Sequence, residues 1–102
     1  MWWVKLTFKD VMTNTNGLSP AAFGAYMRII FEYLIQLAPV PDNGKRLQRL
    51  TGVSLKDWPG IREELSDVFD VIDGNLVDAF AEDAIAEFKK SSEKNRGNRN
   101  GG

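Results

Sequence analysis

The chain has 102 residues, enough for one domain with a single hydrophobic core. It contains neither cysteine nor histidine, which excludes disulfides, thiolate ligands and the commonest general base and metal ligand. The formal net charge is only −1, but residues 1–88 hold eight Lys or Arg against thirteen Asp or Glu, whereas residues 89–102 hold five against one. The composition therefore favours a non-enzymatic module with an acidic folded part and a basic end.

The first predicted element is a short N-terminal β-strand. In residues 2–8 apolar side chains alternate with Trp3, Lys5 and Thr7, which gives the strand one strongly apolar face. Residues 10–17 are rich in Thr and Asn and end in Gly17, so they are expected to form a connection.

A long apolar helix is predicted over residues 19–38. Ser19 is a suitable N-cap, Pro20 suits the first helical position, and prolines at 39 and 41 prevent continuation. The clearly non-apolar interior positions recur every four residues and form one narrow row: Gly24, Arg28, Glu32 and Gln36. Such a helix is expected to be covered on most sides, either by the rest of the fold or by a second copy in a homodimer.

A membrane location is not expected. Arg28 and Glu32 in the middle of the apolar helix would each cost roughly 2.5–3.5 kcal/mol in a bilayer. No secretory signal is visible after Met1, and a chain without cysteine fits a cytoplasmic location.

The central part of the chain has the pattern of a helix-turn-helix. A short helix over residues 44–51, capped by Asp42 or Asn43, is followed by Gly52, which permits a sharp turn. The next helix is expected to begin near Trp58, because Trp58, Ile61 and Leu65 share one side at spacings of three and four.

A β-hairpin and a last helix complete the predicted fold. Residues 69–72 and 76–79 favour strands, and the intervening Asp73-Gly74-Asn75 is a strong turn signal. The last helix is expected over residues 81–91, and residues 92–102 lack apolar side chains and should form a flexible basic tail. The predicted fold is therefore α+β and mainly helical: a winged helix-turn-helix domain at residues 1–91 whose wing is the hairpin.

The order of these elements and several short motifs resemble a known family. The residues concerned are Leu18-Ser19 to Tyr26, Val40-Pro41-Asp42, Gly52-Val53-Ser54, Trp58, Phe69, Asp73-Gly74 and residues 90–94. They are similar to the YdaU-like domain of unknown function found at the N-terminus of phage and prophage replication proteins. The resemblance implies a winged-helix domain that acts in phage DNA replication or its control, in the cytoplasm of a bacterial host cell.

Nucleic acid is the first expected partner, and basic side chains are the candidate contacts. They are Lys45, Arg46, Arg49, Lys56, Arg62, Lys89, Lys90, Lys94, Arg96 and Arg99. Insertion of the segment Lys56 to Leu65 into a major groove is opposed by carboxylates, which a phosphate backbone would repel. They are Asp57, Glu63, Glu64 and Asp67.

The alternative is a protein partner. An acidic domain with an apolar central helix suits a small phage protein that inhibits or adapts a host protein, for example an anti-CRISPR, without groove recognition. Catalysis is not expected, because no paired-carboxylate, Ser-Lys, phosphate-loop or metal-ligand spacing is present. No cofactor or metal is predicted.

Overall fold

The computed structural model describes the backbone of residues 7–101 and the side chains of residues 7–92. Within these limits the fold is α+β, mostly helical, with one small antiparallel sheet. The elements are α1 (Phe8–Thr15), α2 (Pro20–Gln36), β1 (Val40–Pro41), α3 (Gly44–Thr51), α4 (Trp58–Leu65), β2 (Asp70–Ile72), β3 (Asn75–Val77) and α5 (Ala79–Gly101).

Helix α2 is the centre of the core, as the sequence predicted. The Ser19 hydroxyl accepts a hydrogen bond from the Ala22 N–H at 3.2 Å, and the helix ends where Leu37 adopts a left-handed conformation with φ of 56°. Seven of its residues are buried, and it packs against α3, α4, α5 and β1. Among the described residues no helix has the length and hydrophobicity needed to cross a bilayer.

The rest of the fold does not cover every apolar residue of α2. Phe31 is 55% exposed and Ile35 is 64% exposed, on the same side of the helix as Gly24 and Arg28. The surrounding elements cover only the opposite side of the helix, where Ile29 and Tyr33 are fully buried. One flank of α2 is therefore open and partly apolar.

Helix α1 replaces the predicted connection over residues 10–17, and that prediction is wrong. The Thr7 hydroxyl caps the helix by accepting from the Asp10 N–H at 3.2 Å, and Phe8 is helical rather than the end of a strand. Residues 2–6 of the predicted N-terminal strand lie outside the described residues. The Asn and Thr residues that suggested a turn lie in the last turn of the helix, where Asn14 bonds to the interior.

Helices α3 and α4 follow the predicted pattern closely. α3 has the predicted bounds, with Asn43 as its N-cap and Gly52 at its C-cap in a left-handed conformation with φ of 77°. α4 begins at Trp58, and it buries Trp58, Ile61 and Leu65 as the spacing predicted. The two helices meet through a short turn that bears Lys56.

The predicted hairpin is confirmed, with its strands at residues 70–72 and 75–77 instead of 69–72 and 76–79. It belongs to a three-stranded sheet of order β1-β3-β2. Asp73 and Gly74 have φ values of 53° and 77°, and this pair of positive angles closes the two-residue turn between β2 and β3. Val40 pairs with Leu76 to add β1 on the other side of β3. β1 was not predicted, because its two residues carry no pattern of their own.

Helix α5 begins at Ala79 and runs to Gly101, so the predicted bounds of residues 81–91 are corrected at both ends. Its buried side consists of Ala81, Ala84 and Ile85, which pack into the core formed around α2. The division of the chain into a domain at residues 1–91 and a basic tail at residues 92–102 stays a prediction.

Candidate nucleic-acid interface

The outer side of α3 carries an exposed group of cations, here called the α3 basic face: Lys45, Arg46 and Arg49. The helix is oriented by Leu47, which is fully buried on its inner side. Within the part of the chain that the structure describes, none of the three side chains makes a hydrogen bond or ion pair. Their charges are therefore available to an anionic partner.

Lys56 lies close to this face in sequence, in the turn between α3 and α4, and it is exposed. The turn is held by Ser54, whose hydroxyl accepts from the Asp57 N–H at 3.2 Å. Asp57 is exposed next to Lys56, so the turn itself has no net charge.

Arg62 is bound within the molecule. Its Nε and Nη2 donate to the two carboxylate oxygens of Asp42 at 3.1 and 2.9 Å, and its Nη1 donates to the Ser66 hydroxyl at 2.9 Å. The paired side chains of Arg62 and Asp42 are only 22% and 26% exposed. A phosphate contact by Arg62 would have to replace this two-pronged ion pair.

The remainder of the α4 surface offers no cation. Its exposed residues are Pro59, Gly60 and Glu63, and Asp67 follows in the next turn. Glu64 accepts from the backbone N–H and the hydroxyl of Ser19, both at 2.8 Å, so it fixes the start of α2. Sequence reasoning counted Glu64 only as a repulsive charge and missed this structural role.

The hairpin is acidic. Asp70 and Asp73 are exposed, Val71 and Ile72 are 54% and 53% exposed, and no Lys or Arg occurs between residues 63 and 88. A wing that follows the phosphate backbone needs cations, so this hairpin is unsuited to that contact.

The remaining candidate cations lie on α5. Lys89 and Lys90 are exposed, beyond the part of the helix that packs on the core. The side chains of Lys94, Arg96 and Arg99 lie outside the described residues, so their contribution to binding stays a prediction.

Asp78 is the main buried polar residue whose role the sequence did not indicate. It is 1% exposed and accepts from the Tyr26 hydroxyl at 2.8 Å, the Asn14 side-chain amide at 2.9 Å and the Ala81 N–H at 2.7 Å. Burial raises the pKa of its carboxyl group, and the hydrogen bonds partly oppose that shift. Asp78 thereby joins α1, α2 and the start of α5.

A second buried hydroxyl extends this polar cluster. Tyr33 donates to a carboxylate oxygen of Glu82 at 2.7 Å and accepts from the Asp78 N–H at 3.3 Å. Burial, reinforced by the nearby carboxylates, raises the pKa of both Tyr26 and Tyr33 above the ordinary value of 10.0. Two tyrosine hydroxyls that stay protonated suit a structural cluster, because each donates one hydrogen bond to a carboxylate.

In the described part of the chain, no three Asp or Glu side chains lie close enough together to bind a metal ion. The exposed carboxylates are spread over α4, the hairpin and α5.

The fold and its surface define an α+β domain, mostly helical, in which a small antiparallel sheet accompanies a bundle around α2. The chain belongs to the family described as a protein of unknown function, DUF1376, whose family model matches residues 2–86. No curated protein and no solved structure shows significant similarity to the chain.

Proposed function

We propose that the chain is a non-enzymatic, winged-helix module that associates with DNA, in the context of phage replication or its control. The order α2-β1-α3-α4-β2-β3, with the sheet order β1-β3-β2, supports the winged-helix assignment. The phage context rests on the resemblance to the YdaU-like domain.

The single observation that carries the DNA proposal is the α3 basic face. Lys45, Arg46 and Arg49 project from one short helix, and they have no partner among the described residues. Cations without internal partners can neutralise phosphates and release counterions without breaking a bond in the protein.

The contact is expected to be with the DNA backbone rather than with bases. A recognition helix reads bases through side chains such as Arg, Lys, Asn and Gln. The exposed face of α4 has none of these, and its one arginine is paired with Asp42. Binding is therefore expected to be weak, insensitive to sequence and strongly dependent on salt.

The test is a salt titration of binding to a mixed-sequence DNA duplex. Replacing Lys45, Arg46 and Arg49 together by alanine should lower the slope of log K against log salt by roughly 3, since each phosphate contact contributes about one. A wild-type protein that does not bind DNA even at low salt would rule out the proposal.

The control is Lys9→Ala, which removes an exposed cation from α1. It should keep most of the wild-type salt slope. An equal loss of slope per charge removed in the two variants would mean that net charge, and not the α3 basic face, determines binding. Loss of binding only on removal of residues 89–102 would assign the contact to the basic end of α5.

The second candidate is a protein partner at the edge of the sheet, as in a phage protein that inhibits or adapts a host protein. β2 is an edge strand that exposes both Val71 and Ile72. It begins with Asp70, and Asp73 follows it. An extended basic segment could add to this edge as a further strand. This candidate function predicts that the protein binds Lys-rich and Arg-rich peptides. Val71→Lys should abolish peptide binding and retain DNA binding.

A further inference from the structure

The open flank of α2 is a surface that the DNA proposal does not use. It is defined here as the α2 flank: Gly24, Arg28, Phe31 and Ile35. Spacings of four, three and four place these residues on one side of the helix. Phe31 and Ile35 are more than half exposed. A partly apolar helix side of this kind is characteristic of a surface that binds another protein.

We propose that a second copy of the chain covers the α2 flank, with the two α2 helices antiparallel about a two-fold axis level with Ile30. The proposal does not depend on DNA binding, because the α3 basic face is not part of this surface. It rests on the charge pattern and the shape of the α2 flank. In both respects, the flank of one copy is complementary to the same flank of a second copy.

The charges select the antiparallel arrangement. Arg28 and Glu32 lie two residues to either side of Ile30, so a two-fold axis at that level places Arg28 opposite Glu32 of the second copy. A parallel pair would place Arg28 against Arg28, which is repulsive. Neither side chain makes a hydrogen bond or ion pair in the described part of the chain, so both are available.

The shapes agree with the same axis. At a rise of 1.5 Å per residue, Ile35 lies about 7.5 Å from the level of Ile30 along the helix, towards its C-terminus. Gly24 lies about 9 Å from that level, towards the N-terminus. Ile35 of one copy therefore comes over Gly24 of the other. A side chain built at Gly24 would meet no heavy atom within 4 Å, so the space above it is open for the isoleucine. Phe31, close to the axis, lies beside Phe31 of the second copy.

The experiment is sedimentation velocity on the full chain over a range of concentrations, with a charge reversal across the proposed axis. The wild type should show a monomer–dimer equilibrium. Arg28→Glu should weaken dimerisation by roughly tenfold or more, because it places like charges opposite each other. Adding Glu32→Arg to that variant should restore dimerisation, because the opposed pair is then complementary again.

Two further variants test the shape. Ile35→Ser should weaken the dimer, whereas Leu55→Ser is a matched control, because Leu55 is 78% exposed in the turn before α4. Gly24→Gln should fill the space into which Ile35 of the second copy packs, and so weaken the dimer. The variant should still fold, because glutamine is more favourable than glycine within a helix. Thermal unfolding followed by circular dichroism should show that the variants remain folded.

The outcomes either support or overturn the proposal. A wild type that stays monomeric at all concentrations overturns it. A dimer that is unaffected by Arg28→Glu and Ile35→Ser also overturns it, because that dimer would use another surface. Restored dimerisation in the variant that carries both Arg28→Glu and Glu32→Arg supports the antiparallel register. If Ile35→Ser weakens the dimer but neither charge variant changes it, that register is contradicted.

Discussion

Helices α3 and α4 are neighbours of equal length whose charged side chains differ in their internal contacts. α4 has one arginine, bound to Asp42 and Ser66, and two glutamates, of which Glu64 is bound to Ser19. The basic side chains of α3, by contrast, bind nothing in the described part of the chain.

The difference shows that counting charges is a poor guide to binding. Arg62 and Lys45 look equivalent in the sequence, but only Lys45 is available to a ligand without loss of an internal ion pair. Replacing a side chain that is hydrogen-bonded or ion-paired within the molecule should therefore affect stability far more than replacing a free one of the same type.

The largest effect on stability is expected at Asp78, a buried carboxylate that accepts three hydrogen bonds. Asp78→Ala should lower the free energy of unfolding by about 2–4 kcal/mol, because the hydroxyl of Tyr26, the amide of Asn14 and the N–H of Ala81 lose their acceptor. Urea denaturation measures this difference. Asp70→Ala, at an exposed carboxylate, is the control and should change stability by less than about 0.5 kcal/mol. Equal effects at the two positions would contradict the role assigned to Asp78.

A smaller effect is expected at Glu64. Glu64→Ala should lower the free energy of unfolding by about 1–3 kcal/mol, since the Ser19 N–H and hydroxyl lose a charged acceptor. Its neighbour Glu63 is exposed and makes no side-chain hydrogen bond among the described residues, so Glu63→Ala is the matched control. The prediction fails if chemical denaturation gives the two variants the same stability.

The smallest of the three effects is expected for the ion pair between Arg62 and Asp42. A double-mutant cycle with Arg62→Ala and Asp42→Ala should give a coupling energy of about 0.5–1 kcal/mol, because a partly exposed pair is screened by solvent. The coupling should decrease as salt is added. A coupling of zero at low salt would mean that Arg62 is as free as the α3 cations, and the contrast between the two helices would be lost.

The elements that the sequence predicted correctly are those whose ends are marked by local chemistry. Ser19 and Pro20 begin α2, Asn43 and Gly52 bound α3, and Asp73-Gly74 closes the hairpin. In each case the residue that sets the boundary acts on its own backbone, so no knowledge of the tertiary structure is needed.

The elements that it missed depend on distant partners. Asn14 favours turns in isolation, but its bonds to Asp78 and Tyr26 accommodate it within α1. β1 exists because Val40 pairs with Leu76, 36 positions later in the numbering. The exposure of Phe31 and Ile35 could not be predicted either, because periodicity shows which residues share a side but not which side is covered.

The two edges of the small sheet also differ, and this limits how such domains can associate through their strands. β1 contains Pro41, which has no N–H to donate, and Val40 beside it is fully buried. Only β2 can accept an added strand. A filament that grows by strand addition requires two open edges on every subunit, so growth through this sheet would stop at a pair of molecules.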